Sequence, residues 1–111
     1  MKSFDALILG AGPAGLTAAL YLVRGGMSTA LVEKGAPGGQ VLSTAEIENY
    51  PGFPKGIKGW ELADMFSAHL DEYPVERLRG EIVSLEIPAQ EGGWFEARFA
   101  EDGESVRARS V

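Results

Sequence analysis

The stretch that most restricts the fold is Gly10 to Gly15, GAGPAG, because of what stands on either side of it. Before it, Phe4 to Leu9 (FDALIL) is a short apolar run ended by Gly10, which reads as a buried strand. After it, Leu16, Ala19, Leu20 and Val23 recur at i, i+3, i+4 and i+7, one face of a helix. Pro13 suits the first helical turn, where a missing N–H is no loss, and Gly25-Gly26 ends the run. Thr29 to Val32 is a second apolar strand, closed by Glu33. Strand, helix and strand within about thirty residues make a βαβ unit, with parallel strands and a right-handed crossover.

In that setting GAGPAG matches G-x-G-x-x-G, and each glycine has a physical job. Gly10 makes the tight turn, Gly12 lets the backbone approach a pyrophosphate, and Gly15 allows close helix–strand contact. Free N–H groups at the helix start then face an anion. Glu33 stands about twenty residues on, where an acid accepts from a ribose 2′-OH. That favours an unphosphorylated ribose, as in FAD or NAD, over NADP. Lys34 follows and is kept with the candidates, its other reading being a solvated surface charge.

Gly38 to Pro54, GGQVLSTAEIENYPGFP, is neither helix nor strand by pattern. A compact domain rarely carries so long an irregular segment without a use for it. Gly38 and Gly39 allow close backbone approach to a ligand. Gln40 and Asn49 carry both donors and acceptors. Pro51 and Pro54 bias Tyr50 and Phe53 toward extended backbone. Trp60 to Tyr73 then reads as a helix with Leu62, Met65, Phe66 and Leu70 in a stripe, ended by Pro74. Beyond it, EIVSLEI, WFEARFA and SVRARSV, separated by turn material, predict a three-stranded antiparallel meander. Two parallel strands and a meander make a thin core, and the last strand stops at Val111 without a cap. Residues 1–111 are therefore expected to be the N-terminal part of a single larger domain.

Composition excludes several function classes. The net charge is −6, with no basic cluster, a poor basis for nucleic-acid binding. There is no cysteine, hence no disulfide scaffold, thiolate metal site or thiol chemistry within this chain. His69 is the only histidine, so a multi-His metal site is out, and its place near the helix stripe reads as structural. Trp60, Phe66 and Tyr73 read as packing residues. The N-terminal MKSFDALILGAGPAGL superficially resembles a signal peptide, but Asp5 and three glycines interrupt it. No apolar run approaches the ~20 residues a spanning helix needs, and a soluble, cytoplasmic protein is expected, with no metal and no membrane partner.

LILGAGPAGLTAALYLVRGG, LVEKGAPGGQ and EIENYPGFPKGIKGWEL together resemble the low-molecular-weight thioredoxin reductases. The pairing of GGQ with ENYPGFP is the more specific part, and the resemblance runs the length of the chain. It implies an α/β fold: a partial Rossmann-like FAD-binding domain of βαβ unit, cofactor loop, helix and meander, truncated before its last parallel strand. It implies an inserted NADPH domain carrying a Cys-x-x-Cys pair, electrons passing from NADPH through FAD to that pair and on to a thioredoxin-like disulfide protein, and a homodimer. It puts Ala11, Gly12, Pro13 and Ala14 at the FAD pyrophosphate and Glu33 at the ribose, with Gly10 and Gly15 kept as cofactor-binding candidates from the glycine fingerprint. It sets Gly39, Gln40 and Asn49 near the rest of the flavin cofactor, with Ile82 offering backbone contact to the adenine, and Gly38 stays a candidate for close backbone approach. No catalytic residue is expected in this chain, which without redox cysteines should be inactive alone. Two other readings stand beside this one: the flavin domain of a ferredoxin–NADP reductase of the same architecture, and a non-catalytic nucleotide-binding module. An NAD-dependent dehydrogenase sharing only the fingerprint is opposed by GGQ and ENYPGFP.

Overall fold

The computed structural model describes residues 1–35, 38, 43 and 45–111. In chain order the elements are β1 (Lys2–Leu9), α1 (Pro13–Arg24), β2 (Thr29–Glu33), α2 (Gly59–Leu70), β3 (Glu76–Arg79), β4 (Ile82–Glu86), β5 (Phe95–Phe99) and β6 (Ser105–Ser110). The strands form one six-stranded sheet in the order β3-β2-β1-β6-β5-β4. β1 runs parallel to β2 and to β6, and β2 parallel to β3, while β4, β5 and β6 are the antiparallel meander.

The parallel half is wider than the sequence suggests. β3 has the residues ERLR, charged at three of four positions, which carry little strand signal. Pairing with β2 makes it a strand, with Leu31 opposite Arg77 and Val32 opposite Leu78. β6 does double duty, closing the meander and lying beside β1 with Phe4 opposite Ala108.

The sheet must curl. β3 and β4 lie at its opposite edges, yet only Gly80 and Glu81 separate them. Flat, five inter-strand spacings would put those edges about 24 Å apart. Three Cα steps, from Arg79 to Ile82, span at most about 11 Å. The roll is fastened at this corner by the Gly80 N–H donating to the Glu33 carbonyl and the Ala100 N–H to the Glu81 carbonyl.

Curling gives the sheet two different faces. On the concave side Phe4, Leu7, Ala30, Val32, Ala97, Val106 and Ala108 pack together, with Leu78, Ile82 and Phe99 against them. On the convex side the two helices cover Leu31 and Ile8 with Leu16, Ala19, Leu20, Phe66 and Leu70. Phe4 and Leu7 both reach this cluster despite their odd spacing, and between them the N–H groups of Asp5 and Ala6 both donate to the Ser28 carbonyl. A similar irregularity between Ile82 and Ser84 puts Ile82 and Leu85 on one face and leaves Val83 outside.

The helices keep most of the expected stripes. Leu16 and Ala19 are buried on α1, and Leu62 and Leu70 on α2. Met65, expected in the stripe, is 52% exposed, and Trp60, expected to pack, is 55% exposed. Arg77 ties α2 to β3 by donating to the Ser67 carbonyl and hydroxyl, both at 2.8 Å, with its guanidinium 3.1 Å from Asp71.

Candidate functional site

The Gly10–Gly15 loop joins the end of β1 to α1. Gly10 has φ +106°, a conformation side chains disfavour, and its N–H donates to the Val32 carbonyl at 2.8 Å. A Cβ on Gly15 would lie 2.1 Å from the Gly10 carbonyl oxygen and 3.3 Å from Ile8 Cγ2. No side chain fits there, so α1 lies directly against the strand end. A Cβ on Gly12 would meet nothing nearer than the Gly38 oxygen at 4.0 Å, so its side toward a ligand is open. Gly12 is the N-cap and makes no side-chain cap bond, and Pro13 opens the helix. The first-turn amides of Ala14 and Gly15 lack intrahelical acceptors by helix geometry. The sequence thus builds a helix start whose positive end is available to an anion.

Glu33, at the end of β2, is the organising side chain. Its Oε2 accepts the Ala11 N–H at 2.7 Å, and its Oε1 accepts those of Lys34 at 2.8 Å and Gly35 at 3.3 Å. Burial by itself would raise its pKa. The N–H donors of Ala11, Gly35 and Lys34 and the Arg79 charge outweigh that, and the carboxyl is held below its ordinary value. Arg79 is its register partner on β3. Lys34 is exposed, its Nζ 3.6 Å from a Glu81 oxygen.

Two clefts flank this carboxylate. One, of about 270 Å³, is lined by Gly10, Val32, Glu33, Lys34, Glu81 and Ile82. The other, of about 230 Å³, is lined by Ala11, Leu31, Glu33, Gly35, Arg77 and Arg79. The fold therefore brings Ile82 to the Gly10–Glu33–Lys34 group although nearly fifty residues part Ile82 from Glu33 in the chain. Gly38, buried with φ +125°, joins the same group, its N–H donating to the Ala11 carbonyl at 2.7 Å. Asn49 is exposed, beyond the antiparallel bridge of Ile47 with Ile57, and lines neither cleft. Gly39 and Gln40 lie outside the described residues.

Arg79, Gly80 and Glu81 escaped the sequence reading. Their one signal was LRG before an apolar alternating run, a glycine where a strand turns. A hollow of about 470 Å³ lies elsewhere, between Lys2, Leu78, Phe99 and Val106, and is lined by none of the expected site residues. His69 is exposed beside Tyr73, with ring centroids 6.2 Å apart. Among the described residues no helix is long and apolar enough to cross a membrane.

A glycine turn at a helix start, an acid at the next strand end and a cleft beside both define a nucleotide-binding α/β fold. The family model for pyridine nucleotide-disulphide oxidoreductases matches residues 4–105, and the chain belongs to that family. Thioredoxin reductase of Listeria monocytogenes is 47% identical over 81 residues, which are 73% of this chain and 25% of that protein. A component of the alkyl hydroperoxide reductase of Escherichia coli is 42% identical over 110 residues, 98% of this chain and 20% of that protein. The crystal structure of thioredoxin reductase from Streptococcus pyogenes superposes with a TM-score of 0.88 at 42% identity, covering 96% of this chain and 33% of that one. The six-stranded mixed sheet with two helices is thus the fold of a thioredoxin-reductase-like flavin domain, and the chain spans a third or less of these proteins.

Proposed function

We propose that this chain holds the adenosine diphosphate half of FAD in a flavoprotein that moves electrons from NADPH to a protein disulfide. The carrying observation is the joint geometry of Gly10, Gly12, Gly15 and Glu33: an open glycine path to a helix start, with a charged acceptor beside it. The residues fit that half. Glu33 has three backbone donors and retains acceptor capacity for a ribose hydroxyl. The Ala11 N–H goes to Glu33, which leaves the amides of Gly12, Ala14 and Gly15 for the pyrophosphate, Pro13 having none. Ile82 and Gly10 border the cleft where the adenine would lie, and Lys34 closes its rim. Bound FAD would supply the two-electron relay between a nicotinamide and a thiol pair.

Gly39, Gln40 and Asn49 are assigned to the flavin side on the resemblance alone. With no cysteine in these 111 residues, the dithiol belongs to another part of the polypeptide. The NADPH site belongs there too. A thioredoxin-like acceptor, a homodimer and a cytoplasmic setting complete the reading. The Escherichia coli relative favours a second acceptor class, a peroxide-reducing partner, served by the same flavin half.

Titration of the chain with ADP, FAD and NADP⁺ tests this. ADP and FAD should bind with similar affinity, because the described clefts suit only their shared half. NADP⁺ should bind at least tenfold more weakly, a 2′-phosphate facing the Glu33 carboxylate being worth about 1.4 kcal/mol or more. Preference for NADP⁺, or binding of none of the three, would overturn the proposal.

A further inference from the structure

The geometry points to Glu33 as a positioning residue for the phosphate loop, beyond any contact with a ribose. This rests on the adenine dinucleotide reading only for what the loop finally binds. The Glu33 carboxylate bridges two separate turns: Oε2 holds Ala11 in the β1–α1 turn, and Oε1 holds Lys34 and Gly35 in the turn after β2. The Ala11 peptide is then gripped from its other side, where its carbonyl accepts the Gly38 N–H at 2.7 Å. One residue's backbone is thus fixed by a side chain from β2 and a backbone group from the long loop. Its orientation sets that of Gly12, whose amide comes next and beside which a Cβ would meet nothing nearer than 4.0 Å.

Ala11 itself is 1% exposed, and the Glu33 carboxylate is the partner of its N–H. Arg79 supports the same turn from β3, with Nη2 3.5 Å from the Gly35 carbonyl. The charged groups around the carboxylate are Lys34 on the turn, Arg79 and Arg77 on β3, and Glu81, paired with Lys34. A depressed carboxyl pKa agrees with a carboxylate that is structurally engaged before any ligand arrives. The consequence is a coupling: one group serves both the ribose and, through Ala11, the pyrophosphate. A ligand lacking the ribose hydroxyl should still sense its loss.

The test uses the ¹⁵N-labelled chain, its Glu33→Ala and Glu33→Gln variants, and two probes, ADP and 2′-deoxy-ADP. Hydrogen exchange at the Ala11 and Gly38 amides reads the loop without any ligand. Glu33→Ala should speed exchange at both by about tenfold or more, the loss of one hydrogen bond to a charged group. Glu33→Gln, which keeps a carbonyl acceptor, should restore part of the protection. Glu33→Ala should also weaken 2′-deoxy-ADP, though by a smaller factor than ADP, which loses its ribose hydroxyl contact as well. Unchanged exchange at Ala11 and Gly38, or 2′-deoxy-ADP binding equal to wild type while ADP binding falls, overturns the proposal. A wild-type chain that binds neither probe sinks the nucleotide reading instead, and amide exchange alone then decides the positioning role.

Discussion

The two halves of the sheet obey different rules. In the parallel half, β2 is buried at four successive positions, Thr29 to Val32, because α1 and α2 cover one face and the curled meander the other. In the meander the strands alternate, with Ala97, Val106 and Ala108 inside and Arg98, Arg107 and Arg109 outside. Trp94 lies under two of those arginines, with guanidinium carbons 4.4 and 3.7 Å from its ring centroid. The half that carries the glycine turn, Gly10 to Gly15, is thus the one whose side chains are apolar. The other half contributes the second wall of the core and, through Ile82, one edge of the cleft beside Glu33.

One residue type placed in both halves measures the contrast. Leu7 on β1 is 1% exposed and Leu85 on β4 is 38% exposed. Leu7→Ala should cost about 2–5 kcal/mol, the range for a fully buried leucine, while Leu85→Ala should cost about 1 kcal/mol or less. Urea unfolding of both variants gives the comparison, and equal losses would mean that the meander carries as much of the core as the parallel strands.

The next effect concerns the corner where the halves meet. A Cβ on Gly80 would lie 2.6 Å from Phe99 Cδ1, and its φ of +152° disfavours side chains. Gly80→Ala should therefore destabilise by about 1–3 kcal/mol, as overpacking does. Adding Phe99→Leu should recover part of it, and a double variant no better than the single would locate the strain in the backbone. Since Gly80 and Ile82 line the same cleft, ADP affinity should drop with Gly80→Ala as well.

The smallest effect is the pH response of Glu33. Its folded-state pKa lies below the ordinary glutamate value of 4.5, so the carboxylate form favours the folded state. Its contribution is fully present above about pH 4.5 and is lost as pH falls through the lower folded value. Wild type should lose more stability than Glu33→Gln between neutral pH and that acid window, measured by the urea midpoint at each pH. Parallel pH curves would show the carboxylate to be energetically idle in the parallel half.

Local pattern made much of this visible beforehand. The βαβ unit, the glycine roles and the meander strands follow from neighbours within a few residues, where periodicity and glycine sterics act directly. β3 did not, because ERLR has no strand pattern of its own and becomes a strand by taking β2's open hydrogen-bonding edge. The exposure of Met65 and Trp60 was also hidden, since a helix stripe gives the apolar side of α2 and not how far the core reaches across it.

That a glycine turn would open α1, and that an acid would end the next strand, was written in the chain, because both depend on backbone conformation and residue spacing. That Glu33 would grip Ala11, that Arg79 would stand opposite it and that Ile82 would border its cleft came only with folding. Those contacts join positions 22 to 49 residues apart: the first two because β1, β2 and β3 are neighbours in the sheet, and the third because β4 follows β3 after only two residues.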